Sequence, residues 1–530
     1  MNYRFAAACL LSLSLAALAA GQERRRDFQY FVETHPHLTV SNGAVLSFLE
    51  CAPISMASLS FDKGNGGLIP LEGSPDDWKA SAATESFWRV SDRLSFYGKL
   101  GYSHFRGKDM GGTVLMDPSY NPIGFLEEDY SARGTKKRET YSLAGSIAYA
   151  LSEPVTLGFA ANYTSADQVK YKDPRFQNVW MDMSLRPGAM FRLSPRFAMG
   201  VNLEYRHTLE KISAKLFGTV DHDYYMLVDQ GNFYGSRERF EGDAGYISVT
   251  NERPLSHSFY GLSLQAIATR GESRYCGELK AYFHNGSYGN RSSTSVVFCE
   301  FKGPEVSYTG SFVHPEGRNL HKMGLEASFS MVDNFTNTYK HEVEMGMTGK
   351  IVYLGQSQTF SKSDIRAGVS YAFFGDTSSG YLPAWELKAR AGAVCILQQT
   401  KIYPFNRDWT SVAIDCCVSG GRHFALNKNV FSILASASFL TGFGDPRKDK
   451  LASGAVTTMR SFDDYSNRQF EYETASRLGV GVELEYARII SQKLIPYIKL
   501  SNLFCSLLAD PQYLDGGNRN VAGISLGCSF

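Results

Sequence analysis

The sequence predicts an all-β fold, a transmembrane antiparallel up-and-down β-barrel with an even strand number of about 16–20, long outer loops and a short N-terminal segment suited to a plug. Three observations lead there. Apolar and polar residues alternate with period two through most of the chain. Tight turns alternate with long polar connections. Beyond the N-terminus no stretch holds the roughly 20 apolar residues of a spanning helix, so a membrane location has to be built from strands.

The composition agrees. Across 530 residues, 54 basic side chains face 53 acidic ones, which leaves no general field for nucleic acid. Thirty Tyr, 35 Phe and 49 Gly beside only 18 Pro favour strands and turns.

Met1 to Arg4 is followed by an apolar run over 5–19 that ends in Ala17-Leu18-Ala19, a small-x-small cleavage pattern. Residues 1–19 therefore read as a secretory signal peptide. Residues 20–81 are expected to form an N-terminal periplasmic or plug segment with one candidate strand, and 82–530 the barrel. Cys9 lies in the signal, and the other cysteines run from Cys51 to Cys528 without CxxC spacing. Most sit in strand patterns, where cysteine serves as a small apolar side chain.

The first sharp hairpin sets Tyr141, Leu143, Ile147 and Tyr149 against Ser142, Ala144, Ser146 and Ala148, turns at 152–154, and continues with Leu157, Phe159 and Tyr163 against Thr156, Gly158 and Asn162. A second turns at 194–195, where Phe197, Met199, Val201, Leu203 and Tyr205 oppose Gly200, Asn202, Glu204 and Arg206. Val201 is thus expected to face lipid and Asn202 the lumen, where an Arg should be accepted. The segments 320–332, 340–353, 385–397 and 477–488 follow the same rule. Counting from Leu94 gives roughly eighteen strands if 295–312 is one strand bent at Gly303-Pro304, while 55–61 and 82–90 either enlarge the barrel or belong to the N-terminal segment.

Alternation alone also fits a soluble sandwich. Loop sorting argues for the membrane: 106–138, 208–243 and 441–476 are long and polar, whereas 152–154, 194–195 and 491–493 are tight. Tyr102, Tyr149, Tyr163, Tyr205, Tyr353, Tyr371 and Tyr486 sit near the ends of apolar faces, as an interfacial girdle requires. The chain stops on an alternating strand, with Ala522, Ile524, Leu526, Cys528 and Phe530 on one face. Phe530 in that setting resembles the terminal signal read by the barrel-assembly machinery. The expected partners are that machinery, outer-membrane lipid and an envelope protein, with no nucleic acid, in a bacterial outer membrane.

The stretch Leu94 to Lys137, with Tyr97-Gly98-Lys99, Gly107-Lys108-Asp109-Met110-Gly111-Gly112, Asp117-Pro118-Ser119-Tyr120-Asn121-Pro122 and Gly134-Thr135-Lys136-Lys137, resembles a family of uncharacterised outer-membrane barrels from Bacteroidota. The likeness continues through Lys172-Asp173 and the Met181 to Leu185 strand. It implies location and fold, and lends no substrate or functional residue.

The alternation points Lys99, Asp182, Arg186, Arg192, Glu204, Arg206, Glu342, Glu344, Lys350, Lys388 and Arg390 into the lumen, part of an inward set of twelve basic and eleven acidic residues that sets no strong ion selectivity. In the 106–138 loop, Asp109, Met110, Asp117, Tyr120 and Phe125 are the recognition candidates, because turn-forming residues there hold apolar groups. No HExxH or P-loop is present, and neither His35-Pro36-His37 nor Asp463-Asp464 makes a metal set, so no enzyme, cofactor or metal is expected. The leading expectation is a channel or facilitator for small solutes, and the alternative a closed structural or docking barrel that binds an envelope or surface protein through its loops.

Overall fold

The structure, a computed structural model, describes residues 27–49, 53–116, 118, 123–128, 132–215, 223–240, 254–291, 296–342, 350–379, 381–452, 457, 459–491 and 494–530. The expected signal peptide and the candidates Asp117, Tyr120 and Glu344 lie outside them.

A short helix, α1 (Phe28–Thr34), and two 3-10 turns (Pro36–Thr39 and Gly43–Phe48) come first. The strands follow: β1 (Ile54–Asn65), β2 (Asp76–Ser91), β3 (Leu94–Met110), β4 (Gly124–Glu127), β5 (Gly134–Ala150), β6 (Val155–Lys170), β7 (Arg175–Ser194) and β8 (Phe197–Lys215). Next are β9 (Tyr225–Asp229), β10 (Tyr234–Arg239), β11 (Leu255–Arg270), β12 (Ser273–Gly289), β13 (Val297–Glu316), β14 (Asn319–Glu342), β15 (Lys350–Gly375) and β16 (Trp385–Ile402). The last are β17 (Phe405–Leu426), β18 (Asn429–Leu451), β19 (Arg460–Ser461), helix α2 (Asp463–Thr474), β20 (Arg477–Arg488), β21 (Ile495–Leu507) and β22 (Asn518–Ser529).

Eighteen strands form one antiparallel wall, and β4, β9, β10 and β19 form a separate four-stranded sheet. The wall closes where β1 pairs with β22, sealed by the reciprocal bonds of Ser55 N–H to Phe530 O (2.8 Å) and Phe530 N–H to Ser55 O (2.9 Å). Closure leaves no open edge, the condition for crossing a bilayer with strands. An even number of wall strands brings both ends of the wall to one rim.

The outward rows are apolar. Leu143, Ile147, Leu157, Phe159, Leu203, Leu264, Leu325 and Val369 are all exposed on the outside of the wall. Rings band this belt, as in the pairs Tyr102–Tyr141 (5.1 Å), Tyr205–Tyr260 (5.4 Å) and Phe431–Tyr486 (5.0 Å). A closed, even-stranded wall with an apolar exterior is the architecture of an outer-membrane β-barrel. Among the described residues no helix is long and apolar enough to cross a membrane.

Two expectations about the wall are corrected. It starts at Ile54 rather than 82, because β1 and β2 are both wall strands. Sixteen wall strands, not eighteen, therefore run from Leu94 onward. The segment around Gly303-Pro304 is indeed one strand, β13, whose pairing with β14 skips both residues. Pro304 has no N–H to donate, and a Cβ at Gly303 would lie 1.7 Å from Met331 O.

One rim carries tight turns such as 92–93, 195–196 and 427–428, and the other the long connections 66–75, 111–133, 216–254 and 452–476. Apolar clusters sit at both: one gathers Phe28, Phe31, Leu46 and Leu49 against Phe87 and Ala148, and a larger one gathers loop residues against the far half of the wall.

Candidate functional site: a chamber between plug and lid

Residues 27–49 cross the barrel mouth at the tight-turn rim and form a plug. Its apolar side chains pack on the wall at two places, Phe28, Phe31, Leu46 and Leu49 on Phe87 and Ala148, and Ala44 and Val45 on Met190 and Ala198. Gly158 lets the backbones meet, since a Cβ there would lie 2.0 Å from Ala44 N. Polar ties fix the register. The Asn42 Nδ2–H group donates to Gln265 Oε1 (2.9 Å) and Ala189 O (3.1 Å), while Gln265 donates to Asn202 Oδ1 (2.6 Å) and Glu278 (2.8 Å). Ser41 N–H donates to Glu278 (3.1 Å). Opposite, Lys388 pairs with Glu33 (2.9 Å), Lys322 donates to Glu33 O (2.9 Å), and Asp27 N–H donates to Tyr381 O (2.9 Å). Burial pushes the Asp27 carboxyl up and drives the His37 imidazole down to about 3, so His37 is neutral.

At the other rim the loops fold inward as a lid. Its core sets Val114, Leu115, Ile123, Phe125, Met226, Val228 and Phe240 against Phe176, Leu255, Tyr288, Phe301 and Val332 of the wall. Buried charges anchor it. Glu127 of β4 is ion-paired with Lys170 and lies 3.9 Å from Lys136; burial pushes its carboxyl up. Fully buried Arg407 of β17 grips Asp449 (2.7 and 2.9 Å) and donates to Asn232 O (3.0 Å) at the tip of the β9–β10 hairpin. Thr400 donates to Gly231 O (2.8 Å). The tip is a tight turn in which Asn232 (φ 56°) and Phe233 (φ 55°) both adopt the left-handed conformation. Non-glycine residues held there cost about 1–3 kcal/mol each and gather at functional sites.

Between plug and lid lies a chamber of about 660 Å³, within the range of small-molecule sites. Its position follows from single strands. On β3 the plug reaches Tyr97 and the chamber Ser103 and Phe105, and on β5 the plug meets Ala148 and the chamber Thr140 and Arg138. On β2 the same pair is Phe87 and Lys79. The lid contributes Asn232, Phe233 and Asp229, β17 contributes Trp409, and α2 contributes Gln469 and Glu473. Burial raises the Asp229 carboxyl to about 6, against the N–H groups of Gly231 (2.8 Å) and Tyr234 (3.2 Å) that it accepts.

Two buried polar atoms on the chamber wall have no hydrogen-bond partner among the described residues, Trp409 Nε1 and Asn232 Oδ1. Trp409 is only 1% exposed, held between the Phe233 ring (5.9 Å) and the Phe470 ring (5.8 Å). A buried group left unpaired costs about 1–3 kcal/mol, a cost that falls on the contact between the hairpin tip and the wall.

The structure sorts the residues picked from sequence. Lys99 pairs with Glu85 (3.0 Å), Arg206 with Asp182 (2.8 Å), Arg186 with Glu204 (3.9 Å) and Arg390 with Glu326 (3.9 Å), all on the inner face. Arg192 covers the Phe48 ring (5.4 Å), so it and Lys388 hold the plug. Glu342 and Lys350 are a correction: they stand on an exposed two-stranded ribbon of β14 and β15 that continues past the last pairings with β13 and β16. Asp109 is exposed at the end of β3, Met110 lines the chamber, and Phe125 is in the lid core. Asn202 is 1% exposed and bonded to Gln265, so the expectation that an Arg fits there is overturned.

The chamber residues Lys79, Asn232, Phe233, Gln398 and Trp409 were missed. Gly231-Asn232 is a turn-favouring pair within the 208–243 connection and the one signal that could have located the hairpin, but nothing local shows that its tip reaches Trp409. Asp463 is taken up by Arg447 and Arg407, and no group of His, Cys, Asp and Glu among the described residues could hold a metal ion. The described cysteines are free thiols.

Similarity to solved structures is broad and faint. The ferric preacinetobactin receptor BauA from Acinetobacter baumannii aligns over 90% of this chain and 80% of its own, with 7% identity and a TM-score of 0.37. The outer membrane transporter YddB from Escherichia coli aligns over 89% and 80%, with 8% identity and a TM-score of 0.39. The siderophore receptor PirA from Acinetobacter baumannii aligns over 90% and 80%, with 9% identity and a TM-score of 0.39. At these values the likeness bears on neither substrate nor mechanism. No curated protein sequence matches the chain. A family model described as a family of unknown function (DUF6850) matches residues 44–530, from the second half of the plug to the closing strand, and the chain belongs to that family.

Proposed function

We propose that this protein is a gated facilitator of the bacterial outer membrane, which passes small polar solutes through its lumen and stops them in the chamber between plug and lid. The observation that carries the reading is the chamber itself, about 660 Å³ of space lined by lid and wall inside a closed barrel whose tight-turn mouth is crossed by the plug. A barrel serving only as a rigid support gains nothing from such a space. The plug is the better candidate for the moving part, because at 23 residues, 27–49, it rests on two small apolar clusters and a few polar ties. On this reading the tight-turn rim faces the periplasm, and the barrel-assembly machinery inserts the protein through its last strand.

Proteoliposomes are the test. The full chain should admit small solutes slowly, and a variant lacking residues 27–49 should admit them much faster while keeping heat-modifiable migration. Absence of flux through both, with the wall folded, would sink the facilitator reading and favour the closed docking barrel.

A further inference from the structure

We propose that the chamber binds a neutral polyhydroxylated solute, a small saccharide, with its rings stacked on Phe105 and Phe233. This rests on the facilitator reading and names its substrate class.

The charges on the lining are largely spent on the protein itself. Asp364 holds Arg366 through two bonds (2.8 and 2.7 Å). Glu473 accepts from Ser411 (2.9 Å) and Gln469 (2.8 Å), and Asp229 caps the hairpin turn. A carboxylate so occupied offers little to an amine or a metal ion. Lys79 is exposed and has no partner among the described residues, which further disfavours a cationic ligand.

The groups left open are neutral. The Ser103 and Thr140 hydroxyls and the Gln398 carboxamide line the chamber and make no hydrogen bond among the described residues. Each can donate and accept, as each hydroxyl of a sugar does. An apolar solute would leave all three unanswered, and an ion would meet too few opposite charges.

The rings supply the other half of sugar recognition. Phe105 and Phe233 are half-buried at the chamber, and Trp409 backs Phe233 at 5.9 Å. A pyranose has a face of C–H bonds that covers an aromatic face while its hydroxyls reach sideways to amides and hydroxyls. An aromatic floor beside unengaged neutral polar groups is complementary to that shape. The turn that presents Phe233 is held in a costly backbone conformation.

Calorimetric titration of the folded full chain in detergent tests the assignment, with neutral mono-, di- and trisaccharides, glucuronate, glycine and putrescine as probes. A neutral saccharide should bind, glycine and putrescine should not, and Phe233→Ala and Gln398→Ala should each weaken binding at least tenfold. Gln398 is a wall residue, so its variant still decides the matter if the lid variant misfolds. No saccharide binding, or binding that neither substitution changes, overturns the proposal, as does tighter binding of glycine, putrescine or glucuronate than of every neutral sugar. Flux separates the two readings: if glycine or putrescine crosses proteoliposomes while saccharides neither bind nor cross, the substrate class falls and the facilitator stands. If a saccharide binds but no solute crosses, the site stands and the facilitator falls.

Discussion

Asn42 of the plug and Gln265 of the wall are joined by a 2.9 Å hydrogen bond between their carboxamides. The same Asn42 side chain accepts from Ala44 N–H (3.0 Å) and so starts the 3-10 turn that carries Val45 and Leu46 into the wall. One residue therefore both shapes the plug and ties it down.

Asn42→Ala should loosen the plug. Gln265 Oε1 loses its donor, at about 1–2 kcal/mol, which multiplies the plug-open population roughly 5- to 30-fold. Planar-bilayer recordings should show more frequent openings with unchanged heat-modifiable migration. Identical recordings from Asn42→Ala and the parent would mean that the plug is held elsewhere or does not open.

Gly158→Leu should act more strongly at the same interface. Its Cβ would lie 2.0 Å from Ala44 N, and backbone is the part that cannot give way. The neighbouring outward residues Leu157 and Phe159 are untouched, so the wall should still form. The readout is protease access to residues 27–49 from the tight-turn side in detergent. Protection equal to that of the parent would place the plug off β6.

These contacts also mark what could be read from sequence. The wall was legible because one chemical decision, lipid or lumen, repeats at every second residue, as in Tyr141 to Ala150 and Phe197 to Arg206. β1 and β2 were harder, because their outward rows mix Leu59 and Phe61 with Ser, Ala and Lys. The lid was hidden for a different reason. Asn232 meets Arg407, and Glu127 meets Lys170 and Tyr465, across separations that no local period encodes. Arg407 reads as one more inward cation until the structure shows it holding the hairpin tip. Glu342 and Lys350 failed because alternation continues along a ribbon after the barrel has ended.

Lid stability should depend on pH through Asp229. Burial raises its carboxyl to about 6, opposed by the Gly231 and Tyr234 N–H groups and by the charge of Arg407. A carboxyl raised in the closed state takes up a proton on closing, so the closed lid gains stability as pH falls through about 6 and loses it as pH rises. Glu127, also pushed up by burial, adds the same sign. Hydrogen exchange of residues 225–239 should be slower at pH 5 than at pH 7.5, after correction for intrinsic rates. Asp229→Asn should shrink the difference; an unchanged difference would assign the pH response to another group.

Strand facing can be tested at Val201, which lies midway along the outward row between the rings Phe197 and Tyr205, paired with Leu264. An Arg there enters hydrocarbon near the midplane, at about 2–4 kcal/mol. The neighbour Asn202 is no longer a fair control, because it is packed against the plug and bonded to Gln265. Thr140 is a better one, since it faces the chamber, makes no hydrogen bond among the described residues and has polar space before it. Thr140→Arg should therefore cost far less than Val201→Arg when both are folded into lipid vesicles and unfolded by denaturant. If the two cost the same, or if Thr140→Arg is worse, then either Val201 does not meet lipid or the space before Thr140 is closed to a charged side chain. Recording flux through the Thr140 variant separates these outcomes, because an Arg in the chamber obstructs solute whereas one facing lipid does not.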